Sequence, residues 1–470
     1  MSRTLPQEFT NRMKTYLGDD YAAFISSYDK EAVKGLRLNP LKADTINIFP
    51  ELPRVLWCKT GYYYDGEIRP GKHPYHAAGV YYIQEPSAML PGELACKAIR
   101  KVIDDKGYVR VLDMCAAPGG KATHMAGEIG DKGILVANEP VPSRARALSQ
   151  NIERLGIRNC LVTVENPEKL AECFAGFFDV VLTDVPCSGE GMFRRDDIAV
   201  EEWSVENVDN CILRGRTITD AAHICLKPGG YLIYSTCTFE PGEDEDAIRL
   251  FLNGHPSYSV ADIAIDGFSP DNGMYRIWPH KHEGEGHFAA VLKSDGSPCG
   301  GENELPGRIS QTVRFLPGTD RKTQEILTEG LKDILTDEGS EQILAGEIFA
   351  YGDNLYVAYD EIAEAATGRR KGTRLRIERA GLHLGEVHKG IFKPSHSLAL
   401  TLKPHMCRRI VPLDAKDERT YRYLRGESIA CEPDLKGYCV VTVDGYTLGF
   451  GKATGGMLKN HYPKGLRWSP

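Results

Sequence analysis

The chain lacks several features that would place it outside ordinary globular proteins. Its 470 residues contain no apolar run long enough to cross a bilayer, and residues 1–6 lack the hydrophobic stretch of a signal peptide. The 13 cysteines form no Cys-x-x-Cys pair and are odd in number, which argues against a zinc ribbon and against a disulfide framework. We therefore expect a cytoplasmic protein in which most thiols are buried apolar groups and a minority are nucleophiles.

Internal repeats and low-complexity tracts are also missing, and the composition is that of a globular protein, with 42% hydrophobic and 26% charged residues. The length exceeds one ordinary core, so about two to four domains are expected. The net charge of −8 alone counts against nucleic-acid binding. The charge is uneven, however, because Asp320–Glu347 is acidic and Arg369–Arg379 is basic, so net charge does not decide the partner.

Between residues 85 and 293, patterns of buried strands alternate with helical patterns. Strands are predicted at residues 108–114, 133–139, 160–164, 179–182 and 231–235. Helices are predicted at residues 86–100 (with Pro86 in the first turn), 122–129, 142–155 and 205–226. Two further strands, Met274–Trp278 and His287–Leu292, are expected to close the sheet as an antiparallel pair. This order predicts an α/β fold with a doubly wound, mostly parallel, Rossmann-like sheet.

The flanking segments predict smaller units. Residues 1–84 are predicted as an N-terminal accessory RNA-binding region, in which Tyr62–Tyr64 are either an RNA-facing platform or, as we favour, packed in a core or a domain contact. Residues 294–340 are predicted as a linker and helix, 341–400 as a small β-rich domain, and 401–470 as an RNA-binding domain. In that last domain, Asp444-Gly445 lies between two β-rich runs and predicts a hairpin.

A glycine pair follows the first predicted strand of the sheet. Pro118-Gly119-Gly120 allows a ligand to approach the backbone closely, and it differs from the G-x-G-x-x-G of nicotinamide enzymes. Glu139 lies nineteen residues after Gly120, at the end of the second strand, where its carboxylate can accept hydrogen bonds from a ribose diol. Together these residues predict an adenosine-type cofactor rather than NADP.

Two cysteines follow neighbouring strand ends. Asp184-Val185-Pro186-Cys187 follows the fourth strand and Thr236-Cys237 follows the fifth. If these two strands are neighbours in the sheet, their ends lie about 5 Å apart. A single cysteine is most often a buried thiol, but two at this edge favour one shared cleft. Carbon 5 of a pyrimidine accepts a methyl group once a thiolate has added to carbon 6. Asp184 could hold the amidine edge of cytosine, so the set suits cytosine-5 methylation.

These stretches resemble the Nol/Nop/Sun family of RNA cytosine-5 methyltransferases, whose cofactor is S-adenosylmethionine. The matching stretches are Asp113-Met114-Cys115-Ala116-Ala117-Pro118-Gly119-Gly120-Lys121, Asp184-Val185-Pro186-Cys187-Ser188-Gly189-Glu190-Gly191 and Ser235-Thr236-Cys237-Thr238-Phe239. The resemblance implies that Cys237 is the nucleophile, that Cys187 assists product release, and that Asp184 lies between cofactor and base.

The same resemblance assigns the cofactor contacts. Those at its methionine end are Cys115, Ala116, Ala117, Pro118, Gly119, Gly120 and Lys121. Glu139 holds the ribose, and Asp184 closes one side of the site. Asn166 lies beside the adenine, although many relatives have an aspartate at that position. Glu165 is its neighbour, so either residue could make the adenine contact.

The wider layout is similar to the bacterial RsmF-like group of this family. Gly449–Lys452 and Lys459–Arg467 resemble the PUA-like ending of that group, whose substrate is 16S ribosomal RNA. The resemblance implies RNA as the partner, as free 16S RNA or in the 30S subunit, and we expect a monomer.

Several alternatives remain open at this stage. They are a transfer RNA substrate, another adenosyl-cofactor enzyme, and a non-catalytic ribosome-assembly factor. The two cysteines favour an enzyme over a binding module. His280, His282 and His287 lack a cysteine or acid that would complete a metal pattern, so no metal is predicted.

Overall fold

The computed structural model describes residues 5–42, 51–66, 68–297, 320–367 and 375–469. Across these ranges, no helix combines the length and apolar character needed to span a membrane. Most of the predicted linker, and residues 368–374 of the basic segment, lie outside the described residues.

The N-terminal unit is a small antiparallel sheet with short helices. Its elements are α1 (Gln7–Leu17), α2 (Tyr21–Ser26), β1 (Gly35–Leu38), β2 (Gly61–Tyr63), α3 (Pro74–Ala77) and β3 (Tyr81–Ile83). The strand order is β2-β1-β3. Tyr62 is 3% exposed and packs in a core, as favoured above. The side chain of Arg37 is fully buried and donates to the Gly120 carbonyl and to Thr123 Oγ1, which fastens this unit to the next one.

The central unit is an α/β sandwich. Its elements are α4 (Met89–Lys106), β4 (Val109–Asp113), α5 (Gly120–Ile129), β5 (Gly133–Asn138), α6 (Pro142–Arg154), β6 (Cys160–Thr163), α7 (Pro167–Phe174), β7 (Phe178–Asp184), α8 (Asp197–Glu202), α9 (Val205–Cys225), β8 (Leu226–Thr236), α10 (Glu245–Gly254), β9 (Tyr258–Val260), β10 (Met274–Ile277) and β11 (His287–Ser294). Strands β8-β7-β4-β5-β6 run parallel, and β10 and β11 add antiparallel strands beyond β8. The doubly wound sheet is confirmed.

Alternate side chains of the central strands pack into two hydrophobic cores, one on each face of the sheet. In β7, Val180 and Leu182 pack on the side of α4 and α5, whereas Val181 packs on the side of α7 and α9. Both faces are therefore apolar, which confines polar chemistry to the carboxyl edge of the sheet.

Three local predictions were inaccurate. Helix α4 begins at Met89, because the Glu85 carboxylate accepts hydrogen bonds from the N–H groups of Ser87 and Ala88 and forms a turn first. Strand β8 begins at Leu226, five residues early, since a bulge opposite β7 absorbs the Pro-Gly-Gly stretch. Helix α7 was missed.

The C-terminal part contains two further sheets. Its elements are α11 (Arg321–Ile334), α12 (Asp337–Ile343), β12 (Glu347–Tyr351), β13 (Asn354–Ala358), α13 (Asp360–Thr367), β14 (Ile377–Ala380), β15 (Leu382–His388), β16 (Ile391–Pro394), α14 (His396–Thr401), β17 (Ile410–Leu413), α15 (Glu418–Leu424), β18 (Ile429–Ala430), β19 (Gly437–Val443), β20 (Tyr446–Thr454) and β21 (Met457–Asn460). The sheets have the orders β12-β13-β15-β16 and β17-β19-β20-β21-β18. The hairpin at Asp444-Gly445 is confirmed. Strand β14 instead pairs with β6 and extends the central sheet.

Candidate active site

The two cysteine loops leave the sheet side by side. Strands β7 and β8 are parallel neighbours, and Asp184 pairs with Ser235 in their register. Cys187 Sγ lies 3.4 Å from Cys237 Sγ, and the Cys237 N–H donates to Cys187 Sγ at 3.3 Å. The sequence prediction that both thiols flank one cleft is therefore met in the structure.

The pKa of the Cys187 thiol is well above its ordinary value. The hydrogen bond with Cys237 is the largest cause, followed by burial and by the charges of Cys237 and Glu243. Cys187 therefore remains a neutral thiol at neutral pH.

The residues that follow the two cysteines also contact each other. Ser188 Oγ lies 2.7 Å from Thr238 Oγ1 and donates to Glu243 Oε1 at 2.5 Å, while the Ser188 N–H donates to Glu243 Oε2 at 2.9 Å. All three side chains are buried. Burial raises the pKa of Glu243 to about 7, although the two hydrogen bonds from Ser188 oppose that rise. This network fixes the backbone beside both thiols.

Asp184 is held as a carboxylate at the end of β7. Lys121 Nζ contacts its Oδ2 at 2.7 Å, Ser235 Oγ donates to its Oδ1 at 2.7 Å, and His287 Nε2 lies 3.6 Å from Oδ1. Burial alone would raise the pKa of Asp184, but Lys121 and His287 hold it well below its usual range. Asp184 can therefore accept hydrogen bonds from a ligand, and it is a poor proton donor.

The cysteines and Asp184 open into a cavity of about 530 Å³ at the carboxyl edge of the sheet. Its lining also includes Met114, Cys115, Ala117, Glu139, Pro140, Arg144, Asn166, Pro167, Glu168, Val185, Pro186, Arg214, Thr217 and Ile218. This volume is typical of pockets for cofactors and small ligands. The predicted nucleophile, release thiol, ribose acid and adenine-side residue therefore all line one cavity.

The segment from Cys115 to Lys121 forms one wall and the turn into α5. Cys115 and Ala117 line the cavity, whereas Ala116 is buried behind it. Gly119 has φ of 116°, a conformation that favours glycine, and Gly120 is the first residue of α5. Pro118 is held at the turn by a hydrogen bond from Asn151 Nδ2 to its carbonyl. Lys121 extends from the first turn of α5 to Asp184.

Glu139 follows β5 and is only 2% exposed. Its Oε1 accepts from the Val141 N–H at 2.9 Å, and its Oε2 lies 3.3 Å from Arg144 Nη1. The Arg144 guanidinium also donates to the Ala117 carbonyl at 3.2 Å. The acid and the glycine-rich wall are thus oriented by the same arginine.

Asn166 and Glu165 differ in their surroundings. Asn166 precedes α7, makes no side-chain capping bond and lines the cavity. The Glu165 carboxylate is buried and accepts a hydrogen bond from the Arg376 N–H, beside β14. The structure therefore places Asn166, and not Glu165, toward the ligand space.

Sequence reasoning did not identify several neighbours of these residues. Ser235 and His287 contact Asp184, Glu243 anchors Ser188, and Arg144 contacts Glu139. Ser235 was inside a recognised stretch, and its register with Asp184 was a usable signal. Glu243 lies in an acidic run just before α10, and no local pattern marks its contact with Ser188.

The histidines weighed as a metal site are separated in the structure. His287 faces Asp184, whereas His280 packs against Phe24 and His282 stacks on Phe268. Elsewhere in the described part of the chain, Cys58, Glu93 and His124 bring ligand-type atoms within 4.8 Å of one another. The cavity beside Cys58 and Glu93 is lined by Arg54, Lys59, Lys97 and Arg100, whose charges oppose cation entry.

A doubly wound sheet with a ligand cavity at its carboxyl edge is the architecture of nucleotide-binding α/β proteins, and S-adenosylmethionine-dependent methyltransferases are one class among them. Two crystal structures from Pyrococcus horikoshii share the fold. A methyltransferase homolog protein is 24% identical, with a TM-score of 0.52 over 62% of this chain and 95% of that one. NSun6 with SFG is 21% identical, with a TM-score of 0.52 over 62% of this chain and 99% of that one.

Models of four protein families match successive parts of the chain. They describe the N-terminal domain of 16S rRNA methyltransferase RsmF (residues 5–86), 16S rRNA methyltransferase RsmB/F (102–293), the RsmF rRNA methyltransferase first C-terminal domain (336–402) and the methyltransferase RsmF PUA domain (411–468).

Full-length relatives agree with these matches. The ribosomal RNA small subunit methyltransferase F of Shewanella piezotolerans is 30% identical over 98% of this chain and 97% of its own length. The protein of that name from Aeromonas hydrophila is 30% identical over 94% and 93%, respectively. The chain belongs to the ribosomal RNA small subunit methyltransferase F family.

Proposed function

We propose that the chain transfers a methyl group to carbon 5 of a cytosine in 16S ribosomal RNA, through a covalent bond between Cys237 and carbon 6. The observation that carries this proposal is the pair of thiols 3.4 Å apart at the mouth of a cofactor-sized cavity, beside Asp184. A methyltransferase that acts on a nucleophilic nitrogen or oxygen does not need such a pair.

The residues present fit S-adenosylmethionine. Glu139 would accept hydrogen bonds from the ribose, Asn166 would lie beside the adenine, and Cys115–Lys121 would surround the methionine end. The buried carboxylate of Glu139, already oriented by Arg144, is the acceptor that a ribose diol requires. When bound, this cofactor supplies an electrophilic methyl group.

Cys237 is the proposed nucleophile. The raised pKa of Cys187 keeps that thiol protonated at neutral pH, so Cys187 is the poorer candidate for attack. Its addition to carbon 6 forms a carbon–sulfur bond, moves the electron pair of the 5,6 double bond toward carbon 5 and nitrogen 3, and makes carbon 5 nucleophilic, while nitrogen 3 takes a proton from solvent.

Asp184 stabilises the activated base. Lys121 and Ser235 each occupy one of its oxygens, which leaves lone pairs free for the amino group and the protonated nitrogen 3 of cytosine. Because its pKa is held low, Asp184 remains a carboxylate and offsets the positive charge of the protonated ring.

Release requires loss of the proton on carbon 5 and rupture of the carbon–sulfur bond. A base takes the proton from carbon 5, the electron pair of that C–H bond restores the 5,6 double bond, and the electron pair of the carbon–sulfur bond returns to Cys237. Cys187 is proposed to take that proton after its own thiol has lost its proton to solvent, because its sulfur is the immediate neighbour of the Cys237 sulfur.

The substrate assignment rests on the relatives, which are ribosomal RNA small subunit methyltransferases by name, and on the match to a PUA domain at residues 411–468. The pocket would take one base flipped out of its RNA, while the flanking domains contact phosphates and shape. We propose that the chain acts in the cytoplasm as a monomer, which size-exclusion chromatography with light scattering would test.

A transfer assay tests the function. The protein is incubated with tritiated S-adenosylmethionine and purified 30S subunits, naked 16S RNA or transfer RNA, with Cys237→Ala as the inactive control, and 5-methylcytosine is mapped. We expect label in 16S RNA or 30S subunits at one or more cytosines. Label only in transfer RNA would contradict the substrate, and no label in any RNA would contradict the activity.

A further inference from the structure

One buried carboxylate joins the loops of the two cysteines. Glu190 lies three residues beyond Cys187 and is fully buried. Its Oε1 accepts a hydrogen bond from Trp203 Nε1 at 2.9 Å, and its Oε2 accepts one from the backbone N–H of Phe239 at 3.3 Å. Phe239 lies two residues beyond Cys237, so the position of this carboxylate constrains the nucleophile loop.

The two loops are also in backbone contact at this point. The Gly191 N–H donates to the Cys237 carbonyl at 2.9 Å. A Cβ at position 191 would lie 2.9 Å from that carbonyl oxygen and 2.7 Å from the Gly286 carbonyl oxygen. The peptide that carries Cys237 therefore rests directly on Glu190-Gly191, and a shift of one moves the other.

The positive charge beside Glu190 comes from the N-terminal unit. Arg12, on α1, contacts Glu190 Oε1 through Nη2 and Glu240 Oε2 through Nη1. Glu240 lies three residues beyond Cys237, so one guanidinium pairs with an acid from each cysteine loop. A buried carboxylate without such a partner is strongly unfavourable, and Arg12 therefore determines where Glu190 can rest.

We propose that Arg12 and Glu190 are positioning residues, which set the Cys237 loop at its distance from Cys187. The N-terminal unit thereby completes the active site, in addition to any contact that it makes with RNA. This inference rests on the proposed function for its link to catalysis, but its geometric part does not depend on RNA or cofactor.

Arg12→Met is the test, and Arg195→Met is its matched control. Arg195 also ties the central unit to the N-terminal unit, through a hydrogen bond from Nη1 to the Val33 carbonyl. Within the described residues it forms no ion pair with Glu190 or Glu240. Both variants remove one arginine from the same boundary. Only the first removes the charge that holds the cysteine loops.

The first readout is disulfide formation between Cys187 and Cys237 in the full chain without ligands. Diamide takes two electrons and two protons from the thiol pair and becomes the hydrazine, and mass spectrometry follows the Cys187–Cys237 bond. We expect Arg12→Met to slow this reaction about tenfold, because productive contact of the sulfurs requires their alignment. Arg195→Met should remain within about twofold of the unchanged protein.

The second readout is methyl transfer. Arg12→Met should lower kcat with little change in the KM for RNA, and Arg12→Lys should recover part of the loss. If Arg12→Met does not fold, the double variant Arg12→Met, Glu190→Gln removes both charges and is expected to show the same slow oxidation.

Equal oxidation rates for folded Arg12→Met and the unchanged protein would overturn the proposal, as would equal slowing by Arg195→Met. Arg12→Met could be oxidised more slowly than both Arg195→Met and the unchanged protein while the unchanged protein methylates no RNA. That result would support the positioning role and contradict the proposed function.

Discussion

The hydroxyls of Ser188 and Thr238 lie 2.7 Å apart, each one residue beyond a cysteine that lines the cavity. Glu243 accepts two further hydrogen bonds from Ser188, so the loop of Cys187 and the loop of Cys237 share one buried polar network. Such networks specify a geometry when every member is satisfied, and they are costly when one member is removed.

Ser188→Ala should therefore destabilise the protein as well as lower methylation. It leaves Thr238 Oγ1 and Glu243 Oε1 buried without this partner, which costs about 1–3 kcal/mol. Urea unfolding measures the change. Ser26→Ala is the control, because its exposed hydroxyl donates only to the carbonyl one helical turn back. Similar losses for the two variants would contradict the network.

Lys121→Met should lower the stability most at neutral pH. Asp184 has a depressed folded pKa, so its ion pair contributes stability above the unfolded pKa of about 3.9 that is lost as pH falls through the folded value. The free energy of unfolding should decrease by about 2 kcal/mol. This is less than for a fully buried ion pair, because the Asp184 side chain is 30% exposed.

Urea unfolding between pH 3 and pH 7.5 checks this, with Lys101→Met, an exposed lysine on α4, as control. The difference in free energy of unfolding between Lys121→Met and the unchanged protein should become smaller below about pH 4. A constant difference across the range would show that Lys121 does not stabilise the charged form of Asp184.

Asp113 should make the folded protein less stable as pH rises, which is opposite to the effect of Asp184, and Asp113→Asn should remove that effect. Burial, and then the neighbouring Asp184 charge, raise the pKa of Asp113 to about 8. Between about pH 4 and pH 8 the folded protein holds a proton that the unfolded chain has released, so stability falls as pH rises. From pH 5 to pH 8, the urea concentration at the midpoint of unfolding should fall less for Asp113→Asn than for the unchanged protein. An equal fall in the two proteins would refute the raised pKa of Asp113.

Asn166→Ala and Glu165→Gln should separate cofactor binding from packing. Asn166 lines the cavity, and its loss should raise the Kd for S-adenosylmethionine by about tenfold, the value of one hydrogen bond. Glu165 instead holds Arg376, so Glu165→Gln should leave that Kd within about twofold while lowering stability. Isothermal titration calorimetry distinguishes the two, and the reverse order of effects would make Glu165 the adenine contact.

The strand ends of this fold could be predicted from the sequence, and the contacts between distant segments could not. Cys187 and Cys237 follow apolar runs, and parallel packing brings such ends together. The choice between Glu165 and Asn166 depends on where β6 ends, since one residue reverses the direction of a side chain. Arg12 is 178 residues from Glu190, and no local pattern marks their pairing.

The central claim is that Cys237 attacks and Cys187 releases. Cys187→Ala, incubated with 16S RNA or 30S subunits and S-adenosylmethionine, should accumulate a protein–RNA adduct that survives denaturing electrophoresis. The double variant with Cys237→Ala should form none, and Cys431→Ser, a thiol outside the cavity, should behave as the unchanged protein. An adduct that persists without Cys237, or that accumulates in Cys237→Ala alone and is lost without Cys187, would contradict the account.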